Sequence, residues 1–417
     1  MSDALSPYSA VLLASYGGPR QPEDVLPFMR NATAGRGVPD ERLLEVSQHY
    51  QLFGGRSPIN EQNEALRDAL VAELKSRGCP RPVVIGNRNW TPSFAETVSA
   101  LHRDRHDRVV ALTTAAYSCY SACRQYREDL AAVMEQVSGV VIDKVGPYSE
   151  RDGFVSANVD ALVAAVQALR SRIGDGVMKV LFVTHSIPVA MNAASADGTP
   201  AARYDAQHIR VAARVAEAAE AHLGERLDWE LVYCSRSGSP RVAWLEPDVN
   251  DHLQALAAGR LTDGRPAERP GGVVVSPFGF ISDHMEVVFD LDTEAADTAA
   301  RLGLPYVRAA TAGTHPALVS SLADILAERA AAARGEKTRP ASTTGTGPFH
   351  TVCPPQCCRT ETRSARGHGT GGSGAGGHPV PGARSAHGIS PTAKSLPSAP
   401  VRPHTAHDTA LADEGSL

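Results

Sequence analysis

The run Met178-Lys179-Val180-Leu181-Phe182-Val183-Thr184-His185-Ser186-Ile187-Pro188 restricts this chain more than any other stretch. Its apolar and β-branched residues follow one another without polar alternation, the pattern of a strand covered on both faces in a parallel sheet, and a proline ends it. A strand buried in that way needs helices on either side, so the chain must be α/β. His185 then stands just past the strand's carboxyl end, on the rim where open α/β sheets bind ligands. An imidazole there is placed for chemistry; the alternative is a buried structural histidine donating to a backbone carbonyl.

The same strand-then-helix period runs through most of the chain. Strands are predicted at 10–15, 82–86 and 109–114, and a second set begins at 140–142 and continues through 180–183, 230–233 and 273–276 to a last strand at 306–308. Helices are predicted between them, among them 61–75, 154–173, 204–224 and 316–333. A βα succession met twice predicts two doubly wound domains, one over 8–116 completed by 306–335 and one over 117–305. The cleft between them should collect the strand ends, where Tyr16, Ser118, His185, Ser235, Arg236 and Gly279 lie. After about Arg339 the composition turns to Gly, Ser, Thr, Pro, His and Arg without apolar periodicity, which predicts a disordered tail over 340–417 whose one feature is Cys353-Pro354-Pro355-Gln356-Cys357-Cys358.

Charge narrows the partners. Lys plus Arg number 41 against 46 acids in 417 residues, a net charge of −5, so there is no basic field for nucleic acid. No apolar run approaches the length of a transmembrane segment, and Met1 to Tyr8 lacks the cationic and apolar pattern of a signal peptide, so a cytoplasmic protein is expected. Seven cysteines, several clustered, read as metal ligands or reduced thiols more than as a disulfide framework.

The second constellation is Pro277-Phe278-Gly279-Phe280-Ile281-Ser282-Asp283-His284-Met285-Glu286, continuing to Glu294. Ser282 or Asp283 should cap a helix on which Glu286, Asp290 and Glu294 fall at i, i+4 and i+8, three carboxylates along one face. Like charges at that spacing repel, so a sequence chosen for helix stability alone would alternate signs. One reading is a solvated acidic face. The other is a path of oxygen ligands that gathers a hydrated divalent cation and hands it inward, with Glu286 at its inner end.

Four separated pieces carry a family likeness. Ser15-Tyr16-Gly17-Gly18-Pro19, Gly54-Gly55-Arg56-Ser57-Pro58, Leu181 to Pro188 and Phe280 to Glu286 together resemble the ferrochelatases, over roughly residues 8 to 335. The resemblance implies the chelatase fold, two Rossmann-like domains around a cleft, and insertion of Fe²⁺ as substrate into a porphyrin in heme synthesis. It implies His185 and Glu286 as the catalytic and metal-binding pair, with Asp290 and Glu294 as an outer supply line. A porphyrin loses two pyrrole protons as iron enters, and a neutral imidazole of ordinary pKa, about 6.5, suits their removal.

Tyr16 separates branches of that family. Enzymes acting on coproporphyrin III resemble this chain in carrying a tyrosine after the first strand, where protoporphyrin enzymes typically have methionine, so coproporphyrin III is the expected substrate. Tyr16, Ser57 and Tyr126 match porphyrin-contacting positions, and Arg30 and Arg124 would assist with propionates. Some ferrochelatases also hold a [2Fe-2S] cluster on three carboxyl-terminal cysteines and one from mid-chain, which here offers Cys353, Cys357 and Cys358 with Cys119 or Cys123. The C-x-x-x-C-C spacing departs from that pattern. The rival readings are a protoporphyrin enzyme, a chelatase for another tetrapyrrole or metal, and a two-domain tetrapyrrole-binding protein without chemistry; transient partners for heme hand-off are also implied.

Overall fold

The computed structural model describes residues 3–35, 37–237, 241–345 and 350–359. Among the described residues eight parallel strands form two sheets. The first contains β1 (Ala10–Ser15), β2 (Val83–Asn87), β3 (Arg108–Thr113) and β4 (Val141–Lys144) in the order β2-β1-β3-β4. The second contains β5 (Met178–His185), β6 (Asp228–Cys234), β7 (Gly272–Ser276) and β8 (Tyr306–Arg308) in the order β6-β5-β7-β8. Both halves therefore repeat one topology, in which the chain leaves the first strand in one direction and then returns to its other side. In such a sheet the ligand crevice lies at that reversal, outside the carboxyl ends of β1 and β3 and of β5 and β7.

Side-chain alternation gives each sheet two buried faces. Val11 and Leu13 of β1 and Val180 and Phe182 of β5 enter one continuous core, while Leu12 and Ala14 on one sheet and Leu181 and Val183 on the other enter separate outer cores. The continuous core is filled by the helices Asp152–Ile173 and Pro316–Ala333, which pack on each other. They approach closely at Gly153, where an added Cβ would lie 2.0 Å from the carbonyl oxygen of Ala317. Among the described residues no helix is long and apolar enough to cross a membrane.

Sheet membership differs from the predicted division. The strand at 141–144, expected to open the second domain after 116, pairs with β3 through Arg108↔Val141. The helix Gln125–Gln136 is the crossover that returns the chain to its own sheet, so the end of β3 is a turning point and not a boundary. Tyr306–Arg308, expected to return to the first domain, instead pairs with β7. The helix 316–333 touches both halves, packing on 152–173 and on Ile59–Ser76.

The predicted tail divides at residue 359. Residues 340–345 and 350–359 lie against the body: Thr343 N–H donates to the Glu150 carbonyl at 3.0 Å, and Cys358 N–H to the Ala196 carbonyl at 2.7 Å. Glu150, itself buried, accepts from Arg210 and Ser342, each at 2.9 Å. Composition hid this docking because it rests on polar partners supplied by distant segments. The rest of the predicted tail, 346–349 and 360–417, lies outside the described residues.

Candidate active site

His185 is the last residue of β5, opposite Cys234 of β6. The chain beyond it is pinned: Ser186 N–H donates to the Cys234 carbonyl at 2.8 Å, Ser186 Oγ to the Leu245 carbonyl at 2.8 Å, and the Tyr204 hydroxyl to the carbonyl of His185 at 3.3 Å. The ring's Nδ1 faces the Ser186 carbonyl and its Nε2 lies 3.2 Å from Glu286 Oε1. A carbonyl and a carboxylate only accept, so both ring nitrogens carry protons in this arrangement. Burial opposes that charge, but Glu286, the Ser186 carbonyl and Asp290 outweigh it and raise the imidazole pKa. Glu286 answers in the opposite sense: burial would raise its carboxyl, and His185 and then His284 hold it below the usual carboxylate range. The arrangement therefore favours the charged form of the His185 ring over the neutral one.

The acidic row is built on a short helix, Met285–Val288, that widens into a π-helix over Asp290–Ala295. Its start is His284, not Ser282 or Asp283, and the wide turn shows in Glu294 N–H donating five residues back to the Phe289 carbonyl at 2.9 Å. A straight α-helix over-rotates by about 40° every four residues, whereas a π-turn falls short of a full revolution over the same span. The combination keeps Glu286, Asp290 and Glu294 near one line. Burial first, then Glu286 and Glu294, push the Asp290 carboxyl up to about 7, against the hydroxyl of Ser235, which donates to its Oδ2. Glu294 is raised too, by burial and Asp248.

The first half supplies the facing wall. Tyr16 follows β1, is 38% exposed, and sets its ring edge on Phe28 with centroids 6.2 Å apart. Behind it the Tyr50 phenol is held far above its ordinary range by burial, by Glu286 and by Tyr16, which puts these three groups within one field. His49 stacks on Phe289 at 3.8 Å, joining the helix Asp40–Gln51 to the acidic segment. Ser57 is buried against Gly18, where a Cβ would meet the serine Cβ at 2.7 Å.

Other expected porphyrin contacts are engaged elsewhere. Arg30 pairs with Asp40 at 2.6 Å, an exposed ion pair of small worth that an anionic ligand can compete for. Tyr126 is buried in the outer core beneath the first sheet, with the Arg88 guanidinium 3.7 Å over its ring. Arg124 bonds to Glu128 at 2.8 Å and to the carbonyls of Pro355 and Cys357, each at 3.0 Å. Its partners belong to the cysteine segment, which is a correction to its expected place beside a propionate. Arg127 likewise donates to the Pro354 carbonyl at 2.9 Å.

The cysteines sort themselves by direction. Cys119 Sγ caps its own turn, accepting from Ala122 N–H at 3.4 Å, whereas Cys123 Sγ lies 3.9 Å from Cys353 Sγ. Cys357 and Cys358 have their sulfurs 3.6 Å apart, and Cys358 turns back with a left-handed φ of 54° while its Sγ accepts from Ala196 N–H at 3.1 Å. The Lys144 ammonium donates to Cys123 Sγ at 3.4 Å. Among the described residues no three His, Cys, Asp or Glu side chains are arranged to enclose a single metal ion.

Sequence comparison decides the family. A family model described as Ferrochelatase matches residues 8–330. This chain belongs to the ferrochelatase family. The coproporphyrin III ferrochelatase of Streptomyces griseus is 46% identical over 363 residues, covering 85% of this chain and 94% of the relative. That of Streptomyces coelicolor is 44% identical over 372 residues, covering 86% and 96%, and a ferrochelatase of Rhodopirellula baltica is 41% identical over 356 residues, covering 85% and 94%. Within this ferrochelatase fold, Tyr50 and His284 stand beside the candidate pair without having been singled out from the sequence, whereas Ser235 lies at a strand end where the cleft was expected. His284 was signalled by its place two residues before Glu286, and Ser235 by its place after β6; Tyr50 carried no mark, because nothing in its helix shows which side the cleft lies on.

Proposed function

We propose that this ferrochelatase inserts Fe²⁺ into coproporphyrin III to give the iron porphyrin of heme synthesis. The observation carrying the reading is the contact of His185 Nε2 with Glu286 Oε1 at 3.2 Å, made at the carboxyl rim of one sheet and faced by Tyr16 from the other. The names of the Streptomyces relatives support coproporphyrin III as substrate.

The pair gives up its mutual contact to hold the metal. As Fe²⁺ arrives, its positive charge takes the place of the imidazolium proton, so His185 becomes a neutral ligand and Glu286 turns from a histidine partner to a metal ligand. Two protein donors leave the remaining coordination positions to water and then to porphyrin nitrogens, which suits an ion in transit. The proton displaced from His185 and the two released by the pyrrole N–H groups are taken up one at a time by Asp290, poised near neutrality, and passed outward along Glu294 to water. Tyr16 and Ser57 flank the macrocycle, and Arg30 exchanges Asp40 for a propionate.

A [2Fe-2S] cluster on Cys123, Cys353, Cys357 and Cys358 is part of the same proposal. Four buried or half-buried thiols, backbone N–H donation to one sulfur and a lysine ammonium on another fit an anionic cluster, and the left-handed turn at Cys358 lets adjacent cysteines share it. Such a group supplies one-electron chemistry when bound. No disulfide joins the seven cysteines, which supports the expectation of a reducing compartment.

The test is anaerobic incubation of the purified protein with Fe²⁺ and either coproporphyrin III or protoporphyrin IX, followed by absorbance. Insertion into coproporphyrin III at the higher kcat/KM is expected; preference for protoporphyrin IX would overturn the substrate assignment.

A further inference from the structure

The first turn of the helix 59–76 bonds to both halves of the molecule. Asn60 Nδ2 donates to the Gly18 carbonyl at 2.9 Å and Asn63 Nδ2 to Ser15 Oγ at 2.6 Å, so the loop that carries Tyr16 is fastened to this turn. One residue before Asn63, Gln62 reaches the other half of the molecule. Its Oε1 accepts from the backbone N–H of Asp283 at 2.7 Å, and its Nε2 donates to Asp283 Oδ2 at 3.2 Å. A backbone N–H can only donate, so the amide orientation is fixed and the contact is a two-point clamp.

Asp283 is held from its other side as well. Its Oδ1 accepts from Arg308 at 3.1 Å and from Thr311 at 3.3 Å, and Arg308 also grips Asp292 at 2.7 and 2.8 Å. The backbone between these anchors contains His284 and Glu286, and the π-turn that aligns Asp290 begins just beyond. Gln62 is the member of this set that comes from the half bearing Tyr16 and Ser57.

We propose that Gln62 is a positioning residue of the metal-insertion reaction, fixing the Asp283–Glu286 segment from the porphyrin-side wall so that Glu286 meets His185 and the macrocycle at one place. The inference rests on Glu286 being the metal-side residue. The clamp touches neither reacting atoms nor porphyrin, and acts by setting where the carboxylate stands, where an error of an ångström is enough to slow a reaction.

Gln62→Leu removes both bonds at similar volume, and Gln62→Glu keeps the acceptor but replaces the donor with a carboxylate facing Asp283. For each, the measurements are kcat and KM for Fe²⁺, the coproporphyrin dissociation constant by fluorescence, and the thermal midpoint, with Glu286→Gln assayed alongside. Both Gln62 variants are expected to lose about tenfold or more in kcat/KM for Fe²⁺ while porphyrin affinity stays within about twofold and the midpoint within a few degrees. Unchanged turnover in both, or porphyrin affinity and midpoint falling in step with the rate, would overturn the assignment. Full insertion by Glu286→Gln would instead refute the site reading beneath it.

Discussion

His185 and Glu286, 101 residues apart in the chain, come within 3.2 Å because His185 ends β5 and Glu286 lies on the short helix that the chain enters after β7, the strand beside β5 in the sheet. The pairing also explains why neither side chain titrates ordinarily: each is the other's main source of stabilising charge. On the proposed role of the two as iron ligands, iron must part them before it can be held.

Removing the imidazole should therefore stop insertion without stopping binding. His185→Ala is expected to lower kcat by about 10²- to 10⁴-fold with coproporphyrin affinity retained, measured by anaerobic insertion and fluorescence titration. Full activity in that variant would take His185 out of the mechanism.

The outer carboxylates should act on iron supply. Glu294→Gln is expected to raise the KM for Fe²⁺ several-fold with little change in kcat, whereas Asp290→Asn, which also loses a proton acceptor poised at about 7, should lower kcat as well. Steady-state kinetics at varied Fe²⁺ separates the two.

Cys123→Ser should abolish iron and sulfide content in anaerobically purified protein, and Cys119→Ser should leave both in place, since Cys119 caps its own turn and Cys123 faces Cys353. Colorimetric iron and sulfide assays with visible absorbance read the difference.

Stability should fall on the acid side through His208. Its ring is buried, stacked on Tyr117 at 3.6 Å and bonded to Thr184 Oγ1 at 2.9 Å, and burial holds its pKa at about 3 in spite of the Tyr204 carbonyl. The unfolded chain binds this proton below about pH 6.5 and the folded chain does not, so stability is intact above that pH and is lost as pH falls toward 3, by at most about 1.4 kcal/mol per pH unit. His208→Gln should flatten the dependence of thermal midpoint on pH over that window, whatever it costs in absolute stability.

The helix crossing at Gly153 has no spare room. Gly153→Ala places a methyl against the Ala317 carbonyl and is expected to cost about 1–3 kcal/mol in denaturant unfolding. A neutral substitution would mean that the crossing readily separates.

Much of this was legible in the sequence. Uninterrupted apolar runs such as Val180–Val183 marked strands buried on two faces, and the predicted helix 316–333 is observed with those bounds. The acidic row could be read from its spacing, but the π-turn beneath it could not, because widening a helix by one residue leaves no trace in residue type. The fate of 141–144 was misread for a topological reason: a strand's residues do not say which sheet it joins. Arg124 was misplaced because its partners are backbone carbonyls of a segment whose composition promised no structure.

The two halves share their filling. Helices 152–173 and 316–333 contribute to one core reaching both sheets, so wide jaw-like opening would expose the interior that keeps the molecule folded. A flat tetrapyrrole would then be taken in and let go through small displacements of rim loops and side chains, within a frame that does not itself open.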